Sequence, residues 1–370
     1  MKIWKTVVFQ VFQVILENCK ALASQVAPQI VWKTGLLFSM INEKYVFIAP
    51  QLIDSHSAGF DDEWIARLSA AKGLDPSALL ALDRAYGTCL GSLVKDWLTE
   101  QQLPAPTAIA SHGYTVDHAP DKGYSYQIGH GATLAAAAGL PAITDFRSGD
   151  MAYKGQGAPL APFGDQVLFP GYKGYLNLGG IANLHLPTDA LGLDLTGCNL
   201  LMNALAKEMG LPYDKDGQLS AGGHPQPDLL EELWNWRYHL EQPPKSLEAQ
   251  AVMNNLWPPL AAHSAQLADK LHTVAALVGR ALKSITQGRM LAPTDLLLLT
   301  GGGAHHPILH QQVEEAWPGR VVLPDPVVID QKEAILFAYF GAMRWWQLPY
   351  SLPRLTGAHQ HTCGGAVYLP

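Results

Sequence analysis

An α/β protein with sheets in two domains is the fold class this sequence predicts, and three observations predict it. The chain has 370 residues, too many for one simple core. Short apolar runs bounded by glycine and proline alternate with longer segments of helical periodicity. No internal repeat of solenoid period and no low-complexity tract competes with that pattern.

Residues 1–55 have weak periodicity and no clear punctuation. They open with Lys2 and Lys5 ahead of an apolar run, and Ala21-Leu22-Ala23 imitates a cleavage site. Gln10 and Gln13 interrupt the run, however, and Glu17, Asn18 and Lys20 follow it, which favours an amphipathic helix or an irregular start over a signal peptide. From Asp61, DDEWIARLSAAKG reads as a helix with an acidic first turn and Gly73 as its stop. Asp75-Pro76 opens a second helix with Leu79, Leu82, Ala85, Tyr86, Cys89 and Leu90 at core spacing. TAIASH is a short buried strand, DKGYSYQIG lies in a polar hairpin, GATLAAAAGL is a helix and PAITDFR a strand.

GYLNLGGIANLHLP alternates on both sides of Gly179-Gly180 and predicts a tight hairpin. NLLMNALAKEMG is helical, DKDGQLSAGG is a loop, and a long helix near 261–286 carries Leu267, Leu271, Val274 and Val278 on one face. DLLLLTGGGA is a buried strand ending in a glycine turn. HPILHQQVEEAW, RVVLP and QKEAILFAYFGAMRWW continue the alternation, with Glu333 at the start of the last helix.

Composition narrows the function. A hydrophobic fraction of 48% and a charged fraction of 15% describe a folded chain, not a disordered one. The net charge of -7 offers no basic footprint for nucleic acid. No run of ~18 apolar residues exists, so no membrane span is expected. Cys19, Cys89, Cys198 and Cys363 stand far apart without a CxxC pair, as in a reducing compartment.

Four glycine-bearing loops follow apparent strands: KGQGAP, NLGGIAN, TGCN and TGGGAHH. Any one of them is ordinary turn chemistry, but four at strand exits point to a nucleotide site. Neither the P-loop nor the dinucleotide fingerprint is present. In TGGGA the three glycines either clear room for a base and ribose or let the next helix pack tightly. Glu333 is either a helix-dipole carboxylate or a group that reaches a substrate hydroxyl. Asp145 ends a strand just before a glycine-rich loop, so it is either a routine strand exit or an acid presented to a ligand. His359-x-His361-x-Cys363 has metal-ligand types but reads as a glycine-flanked surface loop. His305-His306 and His112/His118 read as helix-start and loop histidines, and no Ser–His–Asp ordering supports a hydrolase triad.

Taken in order, ASHGYTVDHAP, TDFRSGDMAYKGQGAPLAP, LNLGGIANLHL, DLTGCN, PYDKDGQLSAGG, PKSLE, LLTGGGAHH, DQKEAILFA and LTGAHQHTCGGAVY resemble the anhydro-N-acetylmuramic acid kinase family, from about Asp61 to the end. The details of DLTGCN and PKSLE look most like the form in Bacteroidetes-type bacteria. The resemblance implies a two-domain actin/hexokinase/Hsp70-like (ribonuclease H-like) kinase fold with an inter-domain cleft. It also implies use of ATP with Mg²⁺ to turn 1,6-anhydro-N-acetylmuramic acid and water into N-acetylmuramic acid 6-phosphate in peptidoglycan recycling.

By the same resemblance Asp145 is the general base, and Gly155, Gln156, Gly157, Ala158, Pro159 and Glu333 contact the sugar. Asn177, Gly179, Gly180 and Asn183 form a phosphate hairpin, and Asp194 and Asn199 stand near metal and phosphates. Gly301, Gly302, Gly303 and Ala304 form the adenosine loop. A first domain of residues 1–118 completed by 345–370, a second of 119–344, a cytoplasmic location and a homodimer complete the expectation. The family's opening signature GxMSGTSxDG is missing: TGLLFSMINEKY is the nearest string, so residues 1–55 read as foreign to the fold. The usual Gln of HGQT is Tyr114. The missing signature leaves a second reading, a sugar- or nucleotide-binding remnant without catalysis.

Overall fold

The computed structural model describes residues 56–370 apart from Pro244, with short strands at Thr6–Phe9, Val11–Phe12, Phe38–Ile41 and Lys44–Phe47. The expectations for the chain start, including its amphipathic helix, otherwise fall outside the described residues. The chain divides into two compact units, one of Phe169–Lys332 and one running through Leu168 and resuming at Glu333–Pro370.

The discontinuous unit begins with two capped helices. In α1 (Asp62–Ala70) the Asp61 carboxylate accepts from the Trp64 amide at 2.8 Å. In α2 (Pro76–Glu100) Asp75 accepts from Ser77 and Ala78 at 2.9 and 3.1 Å, and Pro76 needs no amide partner in the first turn. Next come β1 (Ala108–Ala110), the hairpin of β2 (Tyr114–Ala119) and β3 (Tyr124–Ile128), α3 (Gly131–Ala138) and β4 (Ala142–Thr144). Two short helices follow, α4 (Ser148–Ala152) and α5 (Ala161–Leu168). β4 pairs parallel with β1, and Val11–Phe12 pairs antiparallel on the far side of β1. The pairing of β4 with β1 keeps residues 119–168 in this unit, where the sequence had placed a boundary at 118/119.

The second unit is one sheet between helices. It contains β5 (Gly174–Leu178), β6 (Ile181–Leu186), β7 (Leu191–Gly197), β8 (Leu296–Thr300) and β9 (Arg320–Val322). Its helices are α6 (Asn199–Glu208), α7 (Pro227–Trp234), α8 (Ala249–Ala262), α9 (Leu267–Thr286) and α10 (Pro307–Ala316). The strand order β7-β6-β5-β8-β9, with only β6 antiparallel to the rest, is the ribonuclease H-like order that the resemblance implies. On one face Leu176, Leu178, Leu184, Leu186, Leu193, Leu195, Leu297 and Leu299 meet Leu271, Val274, Val278 and Leu282 of α9. Each leucine buried this way contributes roughly 1.5–3 kcal/mol. The long helix expected near 261–286 is two helices, α8 and α9, because residues 263–266 are not helical.

Beyond it runs α11 (Pro326–Trp345), and Ala366–Tyr368 (β10) pairs antiparallel with β4. The division between the units falls within α11, after Lys332 rather than at 344/345. In the discontinuous unit Ile143, Phe146, Leu160, Leu336, Phe340 and Tyr350 form a second core, with the Phe340 and Tyr350 rings stacked at 4.7 Å. Among the described residues no helix is long and apolar enough to cross a membrane.

Candidate functional site

Asp145 leaves β4 in the left-handed region at φ 58°, a conformation that Asp tolerates better than most residues. It is exposed, and its Oδ1 accepts from the Ser148 hydroxyl at 2.6 Å and the Ser148 amide at 3.3 Å. Among the described residues no group donates a hydrogen bond to Oδ2. The strand exit therefore holds one carboxylate oxygen and leaves the other open.

The glycine loop that follows is fixed by its backbone. Asp150, 1% exposed, accepts from the Gly157 amide at 2.9 Å and the Thr356 hydroxyl at 2.8 Å. The Gln156 amide donates to the Thr356 carbonyl at 2.8 Å, and Arg147 Nη1 donates to the Gly157 carbonyl at 2.8 Å. Gly157 has φ 67°, and a Cβ there would sit 2.8 Å from Met151 Cγ, so the turn excludes other residues. With the backbone tied down, the Gln156 side chain and Pro159 are left exposed.

Glu333 lies two turns inside α11, not at its start, so the helix-dipole reading fails. The true start was legible: Asp325-Pro326 repeats the Asp75-Pro76 opening, and Asp325 accepts from the Val327 amide at 2.9 Å. Glu333 instead faces the Arg147 guanidinium electrostatically. Burial, the largest effect, pulls the Arg147 guanidinium below its ordinary value, while Glu333 and then Tyr350 act in the opposite sense. Arg147 and His112, joined by a 3.0 Å hydrogen bond, are site residues that sequence reasoning missed. Nothing local signals a bond across 35 positions.

In the Phe169–Lys332 unit the expected nucleotide residues converge on the hairpin tip. Asn177 lies opposite Asn183, Asn183 opposite Asp194, and Thr300 beside Asn177, so a polar row crosses four strands on the face away from the leucine core. Lys332 continues it, donating to Thr300 Oγ1 at 3.0 Å. Asn199 Nδ2 donates to the Leu178 carbonyl at 2.9 Å. The carbonyls of Gly179 and Gly180 accept from the amides of residues 198–200 at 2.8 to 3.1 Å, so those amides are already occupied by the protein. Asp194 Oδ2 accepts from the Leu247 amide at 2.8 Å; burial raises the carboxyl pKa and that bond lowers it. The TGCN loop separates into two roles, because Gly197 is packed tightly against Val252 and Leu201.

The TGGGA glycines also differ. At Gly301, φ 84°, a Cβ would meet Asn177 Oδ1 at 2.6 Å; at Gly303 it would meet Leu178 Cβ at 2.8 Å. At Gly302 the nearest atom is Asn199 Nδ2 at 4.0 Å. Two glycines are demanded by packing and one is open. Gly301→Ala is expected to cost about 1–3 kcal/mol in thermal unfolding, and Gly302→Ala less than about 0.5 kcal/mol. Equal losses would contradict this division.

The histidine readings resolve differently. His306 Nε2 bonds the buried Asp214 carboxylate at 3.1 Å, and His361 Nδ1 donates to the Ser351 carbonyl at 2.7 Å. Among the described residues no three His, Cys, Asp or Glu side chains form a metal-ligand group.

The family model for anhydro-N-acetylmuramic acid kinase matches residues 62–370. Curated relatives bear that name, among them the following three. The one from Salinibacter ruber is 33% identical over 293 residues, covering 71% of this chain and 73% of its own. Those from Pseudomonas fluorescens and Crocosphaera subtropica are 33% and 29% identical, covering 86% and 83% of this chain and 93% and 87% of their own.

Proposed function

The chain belongs to the anhydro-N-acetylmuramic acid kinase family, and from that premise we propose how its residues divide the reaction. It is an ATP-dependent kinase that converts 1,6-anhydro-N-acetylmuramic acid and water into N-acetylmuramic acid 6-phosphate. The observation that supports this division best is the asymmetric Asp145 carboxylate, pinned at Oδ1 and open at Oδ2, beside a loop whose backbone is fixed.

Asp145 Oδ2 takes a proton from water as the water oxygen bonds to C1 of the sugar. The C1–O6 bond breaks, O6 bonds to the γ-phosphorus, and ADP leaves as its bond to that phosphorus breaks. Gly155, Gln156, Gly157, Ala158 and Pro159 shape the sugar site, and Glu333 meets a sugar hydroxyl. Asn177, Gly179, Gly180, Asn183 and Asn199 meet the phosphates, and Gly301–Ala304 the adenosine, with Gly302 as the open position.

Asp194 fits a hard divalent cation, because burial disfavours its lone charge and, among the described residues, only one of its oxygens accepts a hydrogen bond. Asp194 would hold Mg²⁺ there, and the ion would supply charge neutralisation. A cytoplasmic location, where ATP is made, and a homodimer belong to the same reading; light scattering reads the mass of the assembly.

The test runs the purified chain with ATP, Mg²⁺ and the anhydro sugar in ¹⁸O-water. The expected product carries one phosphoryl group and one ¹⁸O, with the label at C1 and none in the phosphate. No product, or label in the phosphate, overturns the reading.

A further inference from the structure

Arg147 presents only donors, and its guanidinium is drawn out of water by burial, so each N–H it keeps needs a fixed acceptor. Its Nε donates to His112 Nε2 at 3.0 Å and its Nη1 to the Gly157 carbonyl at 2.8 Å. His112 Nδ1 in turn donates to the Gly113 carbonyl at 3.2 Å, which fixes the tautomer with Nε2 as the acceptor. The ring is also held from its face, 4.4 Å from the Phe337 ring, and Phe337 lies 5.4 Å from Phe146.

We propose, resting on the kinase reading above, that His112 is a positioning residue for the sugar loop. As a fixed neutral acceptor it aims Arg147, and Arg147 holds the Gly157 carbonyl while its charge stands toward Glu333. His112 does not exchange protons with substrate, because its acceptor nitrogen is spent on Arg147. Burial first, and the Arg147 charge second, lower its pKa to about 3, so it stays an acceptor throughout the working range. What the relay needs at position 112 is an oxygen or nitrogen lone pair, not a titrating group.

His112→Leu keeps apolar packing against Phe337 and removes the lone pair, whereas His112→Gln restores an acceptor. The leucine variant is expected to raise KM for the anhydro sugar at least about tenfold with KM for ATP unchanged, and the glutamine variant to stay within about threefold of wild type. A second readout needs no substrate: Lys154 is exposed immediately before Gly155, and trypsin should nick that bond several-fold faster in His112→Leu than in wild type or His112→Gln. Arg147→Lys, which keeps the charge and loses the fork, should reproduce the leucine signature if the leucine chain fails to fold. Equal losses in the leucine and glutamine variants, an unchanged nicking rate, a matching rise in both KM values, or wild-type behaviour of Arg147→Lys each overturn the proposal. If wild type itself makes no 6-phosphate, the kinase reading falls, and the nicking rates still decide the positioning role.

Discussion

Asp145→Asn is expected to lower kcat for the anhydro sugar by about 10²–10⁴-fold with little change in KM or melting temperature. Asparagine is the informative replacement because it tolerates the same left-handed backbone, φ 58°. Its Oδ1 can still accept from the Ser148 hydroxyl, so the turn into α4 keeps its geometry. The difference is confined to the other atom of the side chain: an amide nitrogen that cannot take a proton replaces an open carboxylate oxygen. A variant that retains more than a tenth of wild-type kcat rules out Asp145 as the base. A variant that loses melting temperature along with turnover assigns it to the fold.

The second large effect is acid sensitivity. Burial is the first cause that lowers His185 and His239 to about 4 and His112 to about 3; the Lys332 charge also lowers His185. An unfolded histidine titrates near 6.5, so above that pH neither state carries the extra proton and nothing is lost. Below it the unfolded chain gains a proton at each site that the folded chain refuses, and stability falls as pH falls. Each histidine contributes a limiting slope of about 1.4 kcal/mol per pH unit until its folded pKa is reached, about 4 for His185 and His239 and about 3 for His112. Asp194, raised by burial, opposes this only toward the carboxylate range. Together the three remove at most about 8 kcal/mol by pH 4.5, comparable with a domain stability of roughly 5–15 kcal/mol. Thermal unfolding against pH is the measurement, and a flat melting temperature from pH 7 to 5 contradicts it. His239→Gln should flatten the curve by one histidine's share, because glutamine can still reach Thr196, which His239 Nε2 meets at 3.0 Å.

Local features of the fold were legible and long-range ones were not. The hairpin at Gly179-Gly180, the Asp75-Pro76 helix start and the leucine stripe of α9 follow from spacing and turn chemistry within a few residues. The charged QKE suggests a start for α11 at Gln331, but the Asp325-Pro326 signal six residues earlier outranks it physically. The site residues themselves came from motif resemblance. Why they hold still did not, because Asp150 meets Thr356 across 206 positions and Tyr350 meets the Phe146 carbonyl across 204. No periodicity encodes such pairs. TGGGA shows the limit from the other side: three identical letters, of which two serve packing and one is open, a difference visible only once Asn177 and Leu178 are placed beside them.

The ties between Thr356 and the glycine loop also set an order of events during synthesis. The ribosome releases Asp145, Asp150 and the GQGAP loop long before Tyr350, Thr356 and the last strand of their sheet, Ala366–Tyr368. In the interval the whole of Phe169–Lys332, with its own leucine core, is made and free to fold. The glycine loop is thus translated ahead of the Phe169–Lys332 unit and among the last parts finished, and a chain cut short by some twenty residues lacks the Thr356 anchor that gives that loop its shape. A premature stop near the end is therefore expected to abolish turnover rather than give a slightly shortened enzyme.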